Sequence, residues 1–150
     1  MADCIFCAIV AGRAPASLVH DDERFLVFLD IHPVRPGHAL VIPRRHAPLL
    51  ADLSAAEIEA LFGLAARVAA ALRLSGLPCD DVSLLLNDGP AANQSVPHAH
   101  VHLVPRRRHD LARVVGRLLR RPLAPILGPA PRARLDAQAT SIRAALAASV

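Results

Sequence analysis

The stretch His98-Ala99-His100-Val101-His102-Leu103-Val104 alternates histidine with small or apolar residues, and it decides the fold. Side chains at i, i+2 and i+4 of a strand share one face, so the pattern predicts a half-buried strand over these residues. Ala99, Val101 and Leu103 would pack on the core, and the three histidines would face water or a cleft. The row is compatible with a polar outer face, a three-histidine catalytic metal site or phosphate chemistry. A shared metal is disfavoured, because the outer two histidines would lie about 13 Å apart on a flat strand.

The patterns on either side of this strand predict the other elements. Ser54 and Glu57 form a capping box ahead of apolar residues at helical spacing, which predicts a long helix over about 54–74. The other elements expected are a short helix over 3–12, strands at Phe25–Leu29, Ala39–Ile42 and Val82–Leu86, a helix at Asp110–Arg121, an extended loop at Pro122–Pro131 and a last helix at Leu135–Ala148. This order predicts an α+β fold with an antiparallel sheet, a long helix and a C-terminal helix. We expect residues 1–108 to form the core, with an Arg/Pro-rich extension, 109–150, packed on the same domain.

Composition excludes several classes of function. The chain has 150 residues, 53% of them apolar, which is enough for one domain with a substantial core. All 17 basic residues are arginine, so Schiff-base chemistry and a P-loop lysine are excluded. With four Phe and no Trp or Tyr, stacking platforms for single-stranded nucleic acid are nearly absent. An odd count of three cysteines, no apolar run of bilayer length and no secretory signal pattern predict a cytoplasmic protein without membrane contact.

Three motifs in this sequence resemble the histidine triad (HIT) family. The first runs from Asn87-Asp88-Gly89-Pro90 through Gln94-Ser95-Val96 to the alternating histidines, the second spans Asp30 to His46, and the third is Cys4-Ile5-Phe6-Cys7. They cover residues 3 to about 108 in the family's order. The N-terminal Cys-x-x-Cys resembles bacterial HIT proteins. The Asp88-Gly89-Pro90 stretch and the residues after His102 lean towards the fragile-histidine-triad branch of dinucleoside polyphosphate hydrolases.

The resemblance implies the HIT-like fold and a nucleotide hydrolase or transferase that cleaves at the α-phosphate of adenosine derivatives and releases AMP. Its substrates would be dinucleoside polyphosphates or nucleoside phosphoramidates. His100 would attack phosphorus and form a nucleotidyl-histidine intermediate, which suits imidazole because much of it is neutral at pH 7. A backbone carbonyl would hold its other nitrogen. His102, Ser95 and Gln94 would assist at the phosphate oxygens and the leaving group.

The resemblance also implies the groups that bind the substrate. Asp30 would accept hydrogen bonds from the ribose hydroxyls, and Asn87 would donate to phosphate. The base pocket would be lined by four apolar residues, Phe6, Ile9, Leu29 and Ile31. His38 matches a fourth histidine that supports the triad. Asn93 departs from the pattern, since many members have glycine there, but asparagine tolerates a positive φ better than most residues.

Cys4 and Cys7 have the C-x2-C spacing of zinc ligands. On spacing alone, the two cysteines could also be idle thiols or a redox pair, although a redox pair normally opens a helix after a strand, which this one does not. By resemblance to zinc-containing HIT proteins, His46 and His98 would complete the set. Closed Cys2His2 coordination makes the zinc structural, because no position is left for substrate or water. The resemblance further implies a homodimer.

Two rival functions stay open. One is a nucleotide-binding sensor with little turnover. The other is a protein that associates with nucleic acid and removes adenylate from its ends. The seven arginines within 106–121 bear on this choice, because they form either a solvated basic face or a contact for phosphates.

Overall fold

The computed structural model describes residues 4–119 and 128–149. In chain order its elements are α1 (Ile5–Val10), β1 (Leu18–Asp21), β2 (Phe25–Leu29), β3 (Ala39–Pro43), α2 (Ala55–Leu74), β4 (Asp81–Leu86), β5 (Val101–Arg106), α3 (Leu111–Leu119) and α4 (Arg132–Ala147). Short 3-10 turns lie at Leu50–Asp52 and Pro90–Ala92. The predicted α+β class, long helix and C-terminal helix are confirmed.

One antiparallel sheet organises the chain, with strand order β1-β2-β3-β5-β4. On one face, Val101 and Leu103 of β5 enter the main core together with Leu72 of α2 and Ile142 of α4. Each of these four side chains is fully buried, which stabilises the fold by about 1.5–3 kcal/mol per residue. The opposite face of β5 therefore carries His102, and His98 and His100 lie in the residues just before this strand.

The long helix α2 begins where the capping box predicts. The Ser54 hydroxyl accepts the Glu57 N–H, and the Glu57 carboxylate accepts the Ser54 N–H at 2.8 Å. The helix buries a stripe of residues against the sheet: Leu61, Leu64, Ala65, Val68, Ala69, Ala71 and Leu72. This stripe keeps the core face of the sheet dry and the sheet rigid beneath the histidines.

Two small apolar clusters cover the histidine face at its ends. Phe6 of α1 packs with Leu26, Phe28, Leu40 and Ile42 at one end. At the other end, α3 buries Val114 against Val34 and Val104. The central histidines lie between α1 and α3.

The structure departs from the predicted elements in two places. Strand β1 was not predicted, because four residues give too short a pattern; it pairs with β2 through a register shift. Strand β5 begins at Val101, so the prediction of a strand from His98 is wrong. The Ala99 N–H donates to the Ala47 carbonyl at 2.6 Å, and this contact replaces sheet pairing.

The end of the predicted 110–121 helix and most of the predicted 122–131 loop fall outside the described residues. Among the helices within 4–119 and 128–149, none combines the length and the hydropathy needed to cross a bilayer.

Candidate active site

His100 and His102 lie side by side on the sheet, with ring centroids 4.8 Å apart. The Nδ1 atom of His100 lies 2.7 Å from the carbonyl oxygen of His98. Because a carbonyl only accepts, Nδ1 carries the proton and Nε2 holds the lone pair. The sequence analysis expected such a carbonyl contact. It expected the histidines to face water or a cleft, and exposure to water is wrong, since His98, His100 and His102 are 0%, 2% and 7% exposed.

His102 is in turn held by His38, at 3.0 Å between Nδ1 of His102 and Nε2 of His38. The other nitrogen of His38 lies 3.2 Å from the Val34 N–H and 3.4 Å from Oδ2 of Asp30. Asp30, His38 and His102 also converge as possible metal ligands. The 3.0 Å N···N distance is that of a hydrogen bond. Because the Val34 N–H donates to Nδ1 of His38, the His38 proton is on Nε2 and is donated to Nδ1 of His102, so we assign this contact to a hydrogen bond rather than to a metal site.

Phe6 packs edge-on against the triad. Its ring centroid lies 5.2 Å from that of His100 and 5.8 Å from that of His98. Of the four residues expected to line the base pocket, Phe6 is buried, Ile9 is half-buried and Ile31 is exposed. Leu29 is 1% exposed in the main core, on the face opposite the histidines, so the structure does not bring it to the site. Successive strand residues alternate faces, which puts Phe28 on the histidine side instead.

Residues 87–97 form the loop that precedes the triad. The Gln94 amide bridges this loop, because its Oε1 accepts the Gly89 N–H at 2.8 Å and its Nε2 donates to the Pro48 carbonyl at 2.7 Å. Asn93 adopts φ 63°, the left-handed conformation in which glycine is common. Ser95 is exposed on the same loop. Gln94 therefore supports the loop in this structure, and contact of Gln94, Ser95 or Asn87 with phosphate stays a prediction.

Cys4, Cys7, His46 and His98 come together beneath α1, with one ligand atom from each lying within 4.8 Å of the others. The Sγ–Nδ1 distances are 3.6 Å for Cys4–His98, 3.2 Å for Cys7–His46 and 3.7 Å for Cys7–His98. Tetrahedral zinc with ordinary bond lengths separates sulfur from nitrogen by about 3.5 Å. The four residues fit a zinc ion.

The surroundings of His98 also suit metal binding. Its Nε2 donates to the Pro43 carbonyl at 2.7 Å, so the lone pair is on Nδ1, the nitrogen that faces the cysteines. Burial lowers the pKa of His98, so the ring is neutral at pH 7. Burial, together with the neighbouring Cys4, raises the pKa of Cys7. A bound cation would oppose that rise by favouring the thiolate.

A buried ion pair next to the site was not predicted. Asp110 is 2% exposed, and it accepts hydrogen bonds from Nε and Nη2 of Arg106 at 3.0 and 2.8 Å. Arg35 lies 3.5 Å from its second oxygen, and these arginines, Arg106 foremost, hold the pKa of Asp110 below its ordinary value. Arg107 pairs with Asp80 at 3.6 Å. Two of the seven arginines are thus paired, while Arg120, Arg121 and the side chain of Arg117 lie outside the described residues.

Comparisons with known proteins agree with this geometry. The family model described as "HIT domain" matches residues 11–109. The chain is 41% identical to a HIT-like protein of Mycobacterium tuberculosis, over 79% of this chain and 82% of that protein. It is 36% identical to the adenosine 5'-monophosphoramidase of Saccharomyces cerevisiae, over 77% of this chain and 70% of that one.

Among solved structures, a zinc-bound histidine triad family protein from Mycobacterium smegmatis matches with a TM-score of 0.81 and 39% identity, over 98% of this chain and 95% of that one. The match to the family model and the identity to curated relatives both extend across most of the chain. The chain therefore belongs to the HIT family.

Proposed function

We propose that this chain is a nucleotide hydrolase or transferase that cleaves at the α-phosphate of adenosine derivatives through a nucleotidyl-histidine intermediate and releases AMP. The observation that carries this proposal is the 2.7 Å contact between His100 Nδ1 and the His98 carbonyl. It fixes the tautomer whose Nε2 lone pair attacks phosphorus. A sheet that is packed on both faces holds that nitrogen in place, as nucleophilic catalysis requires.

The reaction takes two steps. The His100 Nε2 lone pair forms a bond to the α-phosphorus while the bond from phosphorus to the leaving group breaks, and the leaving group takes a proton from His102. His102 can supply it because its Nδ1 accepts the Nε2–H of His38 at 3.0 Å, which places the proton of His102 on its own Nε2. The oxygen of a water molecule then bonds to phosphorus while the N–P bond to His100 breaks, the proton that this water loses returns to His102, and AMP leaves. Ser95 acts by donating to phosphate oxygens.

Phosphoramidates and related adenylates are the first substrates to test. The yeast relative acts on an adenosine monophosphoramidate by its name. Arg106 and Arg107, the candidates nearest β5 for holding a distal polyphosphate, are occupied by Asp110 and Asp80. Dinucleoside polyphosphates, towards which the sequence motifs lean, remain the second class.

Four further assignments belong to the same proposal. Zinc held by Cys4, Cys7, His46 and His98 would tie α1 to His98, two residues before the nucleophile, and play no part in the chemistry. Residues 1–108 form the HIT core, with 109–150 as an extension packed on it. A homodimer is supported by edge strand β4, whose Leu84 and Leu85 are 43% and 51% exposed. A cytoplasmic location stays a prediction from the cysteines.

The test is AMP release from a panel of adenosine monophosphoramidate, adenylylsulfate and a dinucleoside polyphosphate. His100→Ala should lose turnover by several orders of magnitude while it still binds AMP, and rapid quenching of the wild type should trap adenylate on His100. His20→Ala is the matched control, because this histidine lies on β1 and its side chain bonds Asp22, away from the triad. Near wild-type AMP release by His100→Ala would refute the assignment.

The rivals give different results. A sensor would bind AMP while the wild type releases product no faster than His100→Ala. A protein that removes adenylate from nucleic acid would prefer adenylated DNA ends, and its binding would weaken steeply with salt.

A further inference from the structure

The loop from Asp30 to His38 carries two groups close to His102. His38 lies 3.0 Å from Nδ1 of His102, and Asp30 lies 3.4 Å from His38. Its ends are joined by a hydrogen bond from the Asp30 N–H to the His38 carbonyl, at 2.9 Å. Gly37, the residue before His38, has φ +82°, a conformation that favours glycine. A Cβ on Gly37 would meet side chains of Leu77, Leu72 and Pro105 at 3.0–3.3 Å. Tight packing around Gly37 therefore fixes the position of the backbone that carries His38.

The buried N–H of Gly37 requires a hydrogen-bond acceptor. It donates to Oε1 of Gln138 on α4, at 3.0 Å. Gln138 is 9% exposed on a helix face whose other buried residues are Leu135, Ala139, Ile142 and Leu146. A polar amide at an otherwise apolar position is costly unless it bonds, and this one bonds the loop that holds His38.

The C-terminal region contacts the loop at two more points. The Ala130 N–H donates to the Ile31 carbonyl at 2.8 Å. Asp110, which precedes α3, faces Arg35 of the loop at 3.5 Å. Asp110, Ala130 and Gln138 all lie beyond residue 109, where the match to the HIT domain ends. The loop is thus held by residues beyond the part of the chain that the HIT domain model matches.

We propose that Gln138 is a positioning residue of the site, which holds Gly37 so that His38 stays within hydrogen-bond distance of His102. The proposal rests on the proposed function, because it assigns Gln138 to the alignment of the proton donor. Without the acceptor, the loop has to move to bring the Gly37 N–H to water, and it carries His38 away from His102. A displacement of about 1 Å in an active site can lower the reaction rate about a hundredfold.

The experiment compares three variants on α4. Gln138→Asn keeps the amide but withdraws its oxygen by one methylene, and Gln138→Glu keeps an oxygen at the same reach. Asp136→Ala removes the acceptor of the Ser17 hydroxyl at 2.6 Å, so it loosens α4 from the residue before β1 without touching the loop. Each variant is measured for melting temperature, for kcat and KM on adenosine monophosphoramidate, and for the imidazole 15N shifts of His38 and His102.

We expect Gln138→Asn to lower kcat at least about tenfold with little change in KM, and to shift both imidazole signals. Gln138→Glu should keep kcat near the wild-type value, and Asp136→Ala should lower only the melting temperature. Unchanged kcat and imidazole shifts in Gln138→Asn would overturn the proposal. Equal losses of kcat in Gln138→Asn and Asp136→Ala would also overturn it, because the effect would then come from attachment of the helix.

Two measurements keep the test decisive. If the wild type releases no AMP, the proposed function fails, yet the imidazole shifts still report whether Gln138 positions His38. If Gln138→Asn does not fold, amide exchange of Gly37 in the wild type decides. Exchange of the Gly37 amide as slow as that of the core strands supports its hydrogen bond to Gln138, and fast exchange overturns the proposal.

Discussion

Zinc should stabilise this fold strongly and leave the chemistry almost untouched. The four ligand atoms already lie within 4.8 Å of one another, and the three measured S–N distances differ from the tetrahedral value of about 3.5 Å by about 0.3 Å or less. Because the four ligands need little rearrangement, the free energy of zinc binding stabilises the folded state relative to the unfolded state. The perturbation is Cys4→Ser with Cys7→Ser, which removes both sulfur ligands.

The size of the effect follows from linkage. A ligand at a free concentration of about 1,000 times its dissociation constant stabilises the folded state by about 4.1 kcal/mol. In a domain of this length, 1 kcal/mol corresponds to about 2–4 °C, so zinc should raise the melting temperature by about 8–16 °C. The double variant should show no such rise at any zinc concentration.

The assay is a thermal melt of metal-stripped, reduced protein titrated with zinc, with AMP release measured at a temperature where every variant is folded. Cys79→Ser is the matched control, because this cysteine lies outside the cluster and bonds the Asp81 carbonyl. Wild-type protein that melts at the same temperature with and without zinc would refute the structural zinc site. Turnover that follows zinc occupancy while the fold stays intact would refute the separation of zinc from the chemistry.

The parts of the fold that depend on local patterns were predictable from the sequence. Helix α2 was predicted over 54–74 and spans Ala55–Leu74, because its capping box and its apolar spacing lie within one segment. The alternation after His98 correctly placed Val101 and Leu103 in the core. The start of β5 was not predictable, because the Ala47 carbonyl that captures the Ala99 N–H lies far away in sequence.

The site was predictable where spacing or family resemblance determines it and unpredictable where packing does. His38, His100 and His102 lie together in the structure, and the roles that the resemblance implies for them stay predictions. Leu29 belongs to β2, whose five residues are all apolar and all buried, so no alternation in the sequence reveals which face each one takes. Gln138 is a single amide within an amphipathic helix, and its bond to Gly37 forms only when the C-terminal helix packs.

The remaining predictions concern three side chains around the triad. Ser95→Ala should lower kcat more than it raises KM, by about 2.7–4 kcal/mol in the barrier, with the largest loss for poor leaving groups; equal kcat across leaving groups would remove Ser95 from the mechanism. Asp110→Asn should destabilise the fold at pH 7 by about 1–3 kcal/mol, because it leaves the partly exposed Arg106 and Arg35 without their anion. The folded-state pKa of Asp110 is lowered, so this stabilisation is fully present above the unfolded value of about 3.9 and is lost as pH falls through the folded value. Melts from pH 7 to pH 2 should therefore show the two proteins converging below about pH 4, and a constant difference would contradict the ion pair. Phe6→Leu should cost less than the 3–5 kcal/mol of a Phe→Ala change, but it removes the ring edge that packs on His100 and His98. Because that ring is the direct contact between α1 and the nucleophile, kcat should fall while zinc content stays at one ion per chain; loss of zinc in step with kcat would instead show that Phe6 acts by holding the cysteines.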